Sequence, residues 1–181
     1  MGFDILVTDI DGVTAKIPEG LGGFKAESES CRTCPAREKE NCTRPSWCGN
    51  QSRKDREAID KIFSPQGVMF LEPDLGVRDF LILMKLSGFL VVYVTGRPAN
   101  LAVPTAMWLR NNGFPPGTMF SVGSMEGKDV PEDPAERKAM AIEALKKSVP
   151  VDFVLCMEDD PLAVAVYEKR FDAVNVLNLR R

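Results

Sequence analysis

The sequence predicts an α/β domain with a mainly parallel sheet flanked by helices and a small Cys-rich insertion. Two observations carry this. Short apolar runs of strand length (Ile5–Val7, Phe89–Val94, Met119–Val122, Val151–Met157, Ala173–Leu177) alternate with segments of helical periodicity. The strongest runs, ILV and FLVVYV, have no polar alternation, as expected for strands buried on both faces. Between the first run and the rest lies a stretch with almost no aliphatic periodicity, containing four of the five cysteines.

At 181 residues the chain fits one domain with an insertion, and 44% hydrophobic content is enough for a core. A net charge of −3 points to no global electrostatic partner. The absence of histidine excludes Ser-His-Asp and Cys-His nucleophile systems and any His-ligated zinc. No apolar run approaches membrane-spanning length. The N-terminus has no basic n-region and enters a core strand at once, so the expected location is cytoplasmic, with no signal peptide.

In chain order, Ile5–Val7 leads to Asp9 and Asp11, then Gly12, where the backbone must turn or approach something closely. Alternate carboxylates at a strand end repel each other, so they need a proton or a cation, and oxygen-liganded Mg²⁺ suits them. Residues 17–63 form the insertion, closing with a short charged helix over 53–63 that puts Ile59, Ile62 and Phe63 on one face. Val68–Leu71 reads as a brief extended run. From Pro73 an apolar stripe predicts a helix closed by Gly88. The strand Phe89–Val94 ends in Thr95-Gly96-Arg97, and a helix spans 100–112 up to Gly113. Asp133 caps a helix to Lys147, with Pro134 at its first position. The strand Val151–Met157 precedes Glu158-Asp159-Asp160-Pro161, followed by a helix over 162–170 and the last strand.

Open sheets of this kind gather binding groups beyond the carboxyl ends of their strands. Asp9/Asp11, Thr95/Arg97 and Asp159/Asp160 all fall there. A carboxylate can attack phosphorus, and a second can protonate the leaving oxygen and then activate water. Thr95 can hydrogen-bond a phosphoryl oxygen and Arg97 can clamp it. A lysine would offset the charge that develops. Taken singly, each cluster also has a structural reading as a turn, a solvated helix residue or a helix cap.

DIDGVT after an apolar strand, VVYVTGR, a lysine at a helix start and MEDDP after FVLC resemble, in order, the four motifs of the haloacid dehalogenase (HAD) superfamily. The resemblance implies a Rossmann-like fold and a Mg²⁺-dependent phosphatase. Asp9 would be nucleophile and metal ligand. Asp11 would be the acid/base, with its main-chain carbonyl on Mg²⁺. Thr95 and Gly96 would bind the phosphoryl group. Lys138, with Lys128 as runner-up, would bridge that group to Asp9. Asp159 and Asp160 would complete the metal site, with Glu158 a weaker candidate. Thr105 and Trp108 after VTGRP, and Arg137-Lys138, sharpen the likeness toward the phosphatase domain of bacteriophage polynucleotide kinase-phosphatases. That family removes 3′-phosphates from nucleic-acid ends, and Arg97 would contact phosphate. No GxxxxGK[ST] motif for a kinase half is present.

Within the insertion, Cys31, Cys34, Cys42 and Cys48 form C-x2-C-x7-C-x5-C. Four thiolates suit a closed structural zinc site, with two disulfides or an iron–sulfur cluster as alternatives. Cap modules of HAD enzymes enter between the first and second motifs, so the resemblance makes residues 17–63 a cap and residues 1–16 and 64–181 the core. Arg32, Arg37, Lys39, Arg44, Arg53, Lys54, Arg56 and Trp47 make the insertion suited to a phosphate backbone and a stacked base. Glu27, Glu29, Glu38 and Glu40 blunt that charge. Lys16, near the exit to the cap, is a further candidate substrate contact. The expected partner is a phosphorylated substrate, a nucleic-acid end or nucleotide. The alternatives are a small-molecule phosphatase acting on a nucleoside monophosphate or sugar phosphate, or a zinc-containing nucleic-acid-binding module on a HAD scaffold.

Overall fold

The structure is a computed structural model that describes residues 2–16, 57, 60–171 and 174–178. Five parallel strands form the main sheet: β1 (Phe3–Thr8), β4 (Leu90–Thr95), β5 (Thr118–Ser121), β6 (Val151–Glu158) and β7 (Val174–Asn178), in the order β5-β4-β1-β6-β7. β1 is central, pairing Leu6 with Val91 on one side and with Leu155 on the other. A two-residue ribbon, β2 (Ala15–Lys16) against β3 (Glu72–Pro73), runs antiparallel beside it. This ribbon was not expected, since two-residue strands have no periodicity to read.

Five α-helices complete the described chain: α1 (Pro65–Met69), α2 (Leu75–Leu86), α3 (Ala102–Asn111), α4 (Pro134–Ser148) and α5 (Pro161–Arg170). The unalternating strands are apolar because both faces are covered. On one face Leu6, Val91, Tyr93 and Met157 pack with Val68, Val77, Leu81, Trp108 and Leu109 of α1, α2 and α3. On the other, Ile5, Val7, Val92, Val94, Val154 and Cys156 pack with Ala139 and Ile142 of α4 and Ala163 and Tyr167 of α5. Cys156 is fully buried, and burial pushes its thiol up to about 12, so it is an inert core thiol.

Helix starts follow the caps written in the sequence. Asp74, Asp133 and Asp160 each accept an N–H from the first turn of the helix they precede. Gly88 and Gly113 end α2 and α3 with φ of 98° and 74°, where a side chain would be strained.

Three expectations change. Val68–Leu71 is not extended. Val68 and Met69 close α1, which Ser64 caps by accepting the N–H of Gly67, with Pro65 in its first turn. Four apolar residues cannot separate strand from helix, and the cap decides. The helix expected from Pro73 starts at Leu75, because Pro73 belongs to the ribbon and Asp74 is its cap. The apolar stripe of α2 is wider than its buried face, with Leu83 60% and Leu86 81% exposed. Of the helix expected over 53–63, the described residues 57 and 60–62 are helical. The expected zinc site at Cys31, Cys34, Cys42 and Cys48 lies outside the described residues, as do Trp47 and the basic residues around it. Among the described residues no helix is long and apolar enough to cross a membrane.

Trp108 ties the α1–α3 side together. It is fully buried, stacks on Phe114 at 5.4 Å and donates its indole N–H to the carbonyl of Leu71 at 2.9 Å. Trp108→Phe removes that donor and part of the packing, and should lower stability by about 2–3 kcal/mol in urea unfolding. A loss under about 0.5 kcal/mol would show that the indole contact is not what anchors this layer.

Candidate active site at the strand ends

β1 delivers Asp9 one residue beyond its end, and β6 ends on Glu158. Between them stands Lys138, on the second turn of α4. Its ammonium lies 2.9 Å from Oδ2 of Asp9 and 3.0 Å from Oε2 of Glu158. All three side chains are buried. Burial costs each charged form, and Lys138 offsets part of that cost by facing two carboxylates at once. Burial, then the charge of Glu158, hold the Asp9 carboxyl well above the usual carboxylate range, with Lys138 pulling the other way and Asp11 adding to the rise. Burial by itself would lower the Lys138 ammonium, but Asp9 and Glu158 outweigh it and raise it well above its ordinary value.

Glu158 is the organiser of this corner. Oε2 also accepts the hydroxyl of Tyr167 at 3.4 Å, while Oε1 accepts the main-chain N–H groups of Asp159 and Asp160, both at 3.2 Å. These bonds hold the loop leaving β6. Gly12 meets that loop from the other side. Its φ is 84°, and a Cβ there would lie 2.1 Å from Oδ2 of Asp159. Only glycine allows this approach.

Asp9, Glu158 and Asp159 bring one carboxylate oxygen each to within 4.8 Å of one another. Oδ1 of Asp9 is buried and has no hydrogen-bond partner. Hard oxygen donors around an unsatisfied buried oxygen fit a divalent cation such as Mg²⁺. Formal charge agrees, since the carboxylates of Asp9, Asp11, Glu158 and Asp159 outnumber the cations Lys138 and Arg97 by two.

The second cluster lies beside the first. Arg97 is 2% exposed, and Nε and Nη2 donate to Oδ2 and Oδ1 of Asp11 at 2.9 and 2.6 Å. Nη1 donates to the Thr105 hydroxyl at 2.9 Å. Thr95, fully buried at the end of β4, accepts the main-chain N–H of Arg97 at 3.2 Å. A Cβ on Gly96 would meet nothing within 4 Å, which leaves open space at that turn. The loop after β5 supports the turn: Gly123 donates its N–H to the carbonyl of Arg97, and a Cβ on it would lie 2.1 Å from the carbonyl oxygen of Gly96.

Most of the residues expected from the sequence therefore meet. Lys138, not the exposed Lys128, reaches Asp9. Asp160 stands apart from the carboxylate cluster. Its Oδ1 accepts the N–H of Leu162 and caps α5, while Asp159 lies with Asp9 and Glu158. The carboxylate of Asp11 is engaged by Arg97 instead of joining the cation cluster. Lys16 is ion-paired with Glu72 on the small ribbon and does not join the strand-end residues. Glu158 was underweighted. β6 runs one residue further than its apolar content indicates, and period-2 alternation from Cys156 was the signal that Glu158 shares its inward face.

The chain's relatives fall into two groups. Residues 75–170 match the sequence family described as PITM 1-3, LNS2 domain. Membrane-associated phosphatidylinositol transfer protein 1 of Rattus norvegicus and of Homo sapiens is 37% identical over 113 residues, 61% of this chain. The match spans only 9% of the length of each of those relatives. Among solved structures, a chain of the Pnkp1/Rnl/Hen1 RNA repair complex superposes with a TM-score of 0.62 at 13% identity, covering 99% of this chain and 43% of that one. The archaeal beta-phosphoglucomutase of Pyrococcus sp. strain ST 04 gives 0.60 at 15% identity, covering 99% and 87%. These superpositions establish the α/β Rossmann-like fold expected from the sequence. The sequence family is one that the motifs did not point to, and its match takes in Thr95, Arg97, Lys138, Glu158 and Asp159. With more than half of its residues inside that match, the chain belongs to the PITM 1-3 LNS2 domain family.

Proposed function

We propose that the chain is a Mg²⁺-dependent phosphomonoester hydrolase working through an aspartyl-phosphate on Asp9. The observation that carries this is the buried Asp9–Lys138–Glu158 bridge, with the unpartnered Oδ1 of Asp9 beside Asp159. Mg²⁺, held by Asp9, Glu158 and Asp159, would offset the charge of the phosphoryl oxygens. Asp9 forms the new bond to phosphorus as the bond to the leaving oxygen breaks, and Asp11 gives that oxygen a proton. Asp11 then takes a proton from water, which attacks phosphorus, frees Asp9 and releases inorganic phosphate. Thr95 and the main chain at Gly96 hold the phosphoryl oxygens, and Lys138 neutralises the charge shared with Asp9.

The substrate class we favour is a nucleic-acid 3′-phosphate end or a nucleotide. The TGR turn, the Thr- and Trp-bearing helix after it, and the basic residues of the insertion support this, and we propose that zinc staples that insertion at Cys31, Cys34, Cys42 and Cys48. Residues 17–63 would act as the cap and the protein would work in the cytoplasm. A phospholipid phosphomonoester is the second class, favoured by the identity with proteins named for phosphatidylinositol transfer. Phosphate release from 3′-phosphorylated oligonucleotides, nucleoside monophosphates, sugar phosphates and vesicle-borne phosphatidic acid separates the classes. Faster release from vesicles than from oligonucleotides would overturn the first.

Asp9→Asn should lower Mg²⁺-dependent phosphate release from p-nitrophenyl phosphate by at least about a thousandfold. Full activity in that variant would end the mechanism.

The charge cluster also predicts a pH effect. A carboxyl raised in the folded state adds stability that is complete below its unfolded value, about 4, and is lost as pH rises through the folded one. Metal-free wild type should therefore melt at lower temperature as pH climbs through that range. At neutral pH in EDTA, Asp9→Asn should melt above wild type. Mg²⁺ should raise the melting temperature of wild type and leave that of the variant nearly still. Scanning fluorimetry in EDTA and in Mg²⁺ reads both, and an equal Mg²⁺ response in the two proteins would contradict the site.

A further inference from the structure

The buried Arg97 assembly has more order than a phosphate clamp needs. Nε and Nη2 grip both oxygens of Asp11, Nη1 is fixed by Thr105, and the guanidinium carbon lies 5.9 Å from the centre of the Phe63 ring. Thr105 sits on the second face of this assembly with no exposure to solvent. From this geometry we infer that Thr105, acting through Arg97, is a positioning residue that sets the reach of Asp11. The inference rests on the phosphohydrolase reading of the site.

The chemistry explains why a fork is used. Asp11 has to carry a proton on one oxygen when the leaving oxygen departs, and that oxygen cannot then accept both contacts. With two N–H groups on two oxygens, Arg97 can release one and still hold the other. A lysine would supply one point of contact and no plane. The bond from Nη1 to Thr105 stops the guanidinium from turning with the carboxyl. No covalent step is added: the proton still passes between Asp11 and the leaving oxygen or water.

Leaving groups report on this directly. p-Nitrophenolate departs without a proton, whereas an alkoxide needs one. Loss of proton-donor alignment must therefore slow an alkyl phosphomonoester more than an aryl one. Thr105→Val keeps the side-chain shape and removes the hydroxyl, and Thr105→Ser restores it. Wild type, Thr105→Val, Thr105→Ser and Arg97→Lys are compared in Mg²⁺ on p-nitrophenyl phosphate and propyl phosphate. Thr105→Val should lower kcat on propyl phosphate about tenfold and on p-nitrophenyl phosphate far less. Thr105→Ser should recover the difference, and Arg97→Lys should widen it. Equal losses on both substrates, a rise in KM alone, or no loss on either would overturn the inference while leaving the hydrolase standing. Wild type inactive on both substrates would overturn the hydrolase and the inference with it. Melting temperatures identify a poorly folded Thr105→Val, in which case Arg97→Lys carries the same two-substrate comparison.

Discussion

One buried ammonium makes the rest of this site possible. Asp9 and Glu158 come from the ends of adjacent strands, β1 and β6, and both are removed from water. Without Lys138 between them they would repel in a medium that screens poorly, and one would have to take up a proton. Lys138 reaches them because α4 crosses the same face on which Val154, Cys156 and Ile142 pack. The packing of an apolar helix onto the sheet thus fixes where a charge sits. The same Lys138–Glu158 pair reaches the loop leaving β6, since Glu158 also accepts the N–H groups of Asp159 and Asp160.

Much of this was legible in the sequence. The strands could be read because both their faces are buried, which removes the polar alternation and leaves unbroken apolar runs. The helix starts could be read because Asp74, Asp133 and Asp160 are short polar side chains placed where first-turn N–H groups need acceptors. That same chemistry gives Asp160 two readings. An aspartate next to Asp159 looks like a second metal ligand, yet a residue preceding Pro161 is also a helix cap, and sequence spacing cannot weigh the two. The α1 segment failed for a related reason, because Ser64 and Pro65 outweigh the strand-like Val68–Leu71.

What was not legible concerns partners that are far apart in the chain. The pairing of Asp11 with Arg97 joins residues 86 positions apart, and that of Lys16 with Glu72 joins residues 56 apart. Motif order says that Asp11 and Arg97 share a site. It does not say that the guanidinium closes on the Asp11 carboxylate. Lys16 illustrates the converse. Near in sequence to Gly12, it is carried off by a two-residue ribbon that periodicity cannot reveal.

The two clusters divide the work by how they balance charge. Around Asp9 the anions exceed the cation, which leaves a site ready for a further positive charge and makes Asp9 costly to ionise until one arrives. Around Asp11 the carboxylate and the guanidinium balance one another, so its geometry is set before any ligand enters. Gly12, directly after Asp11, lets the chain turn so tightly that a Cβ there would collide with Asp159. A larger residue at Gly12 would push Asp159 away from Asp9 and shift Asp11 at the same time. The two-residue interval between the carboxylates is therefore what allows one loop to serve an unbalanced, cation-seeking corner and a balanced, prepositioned one.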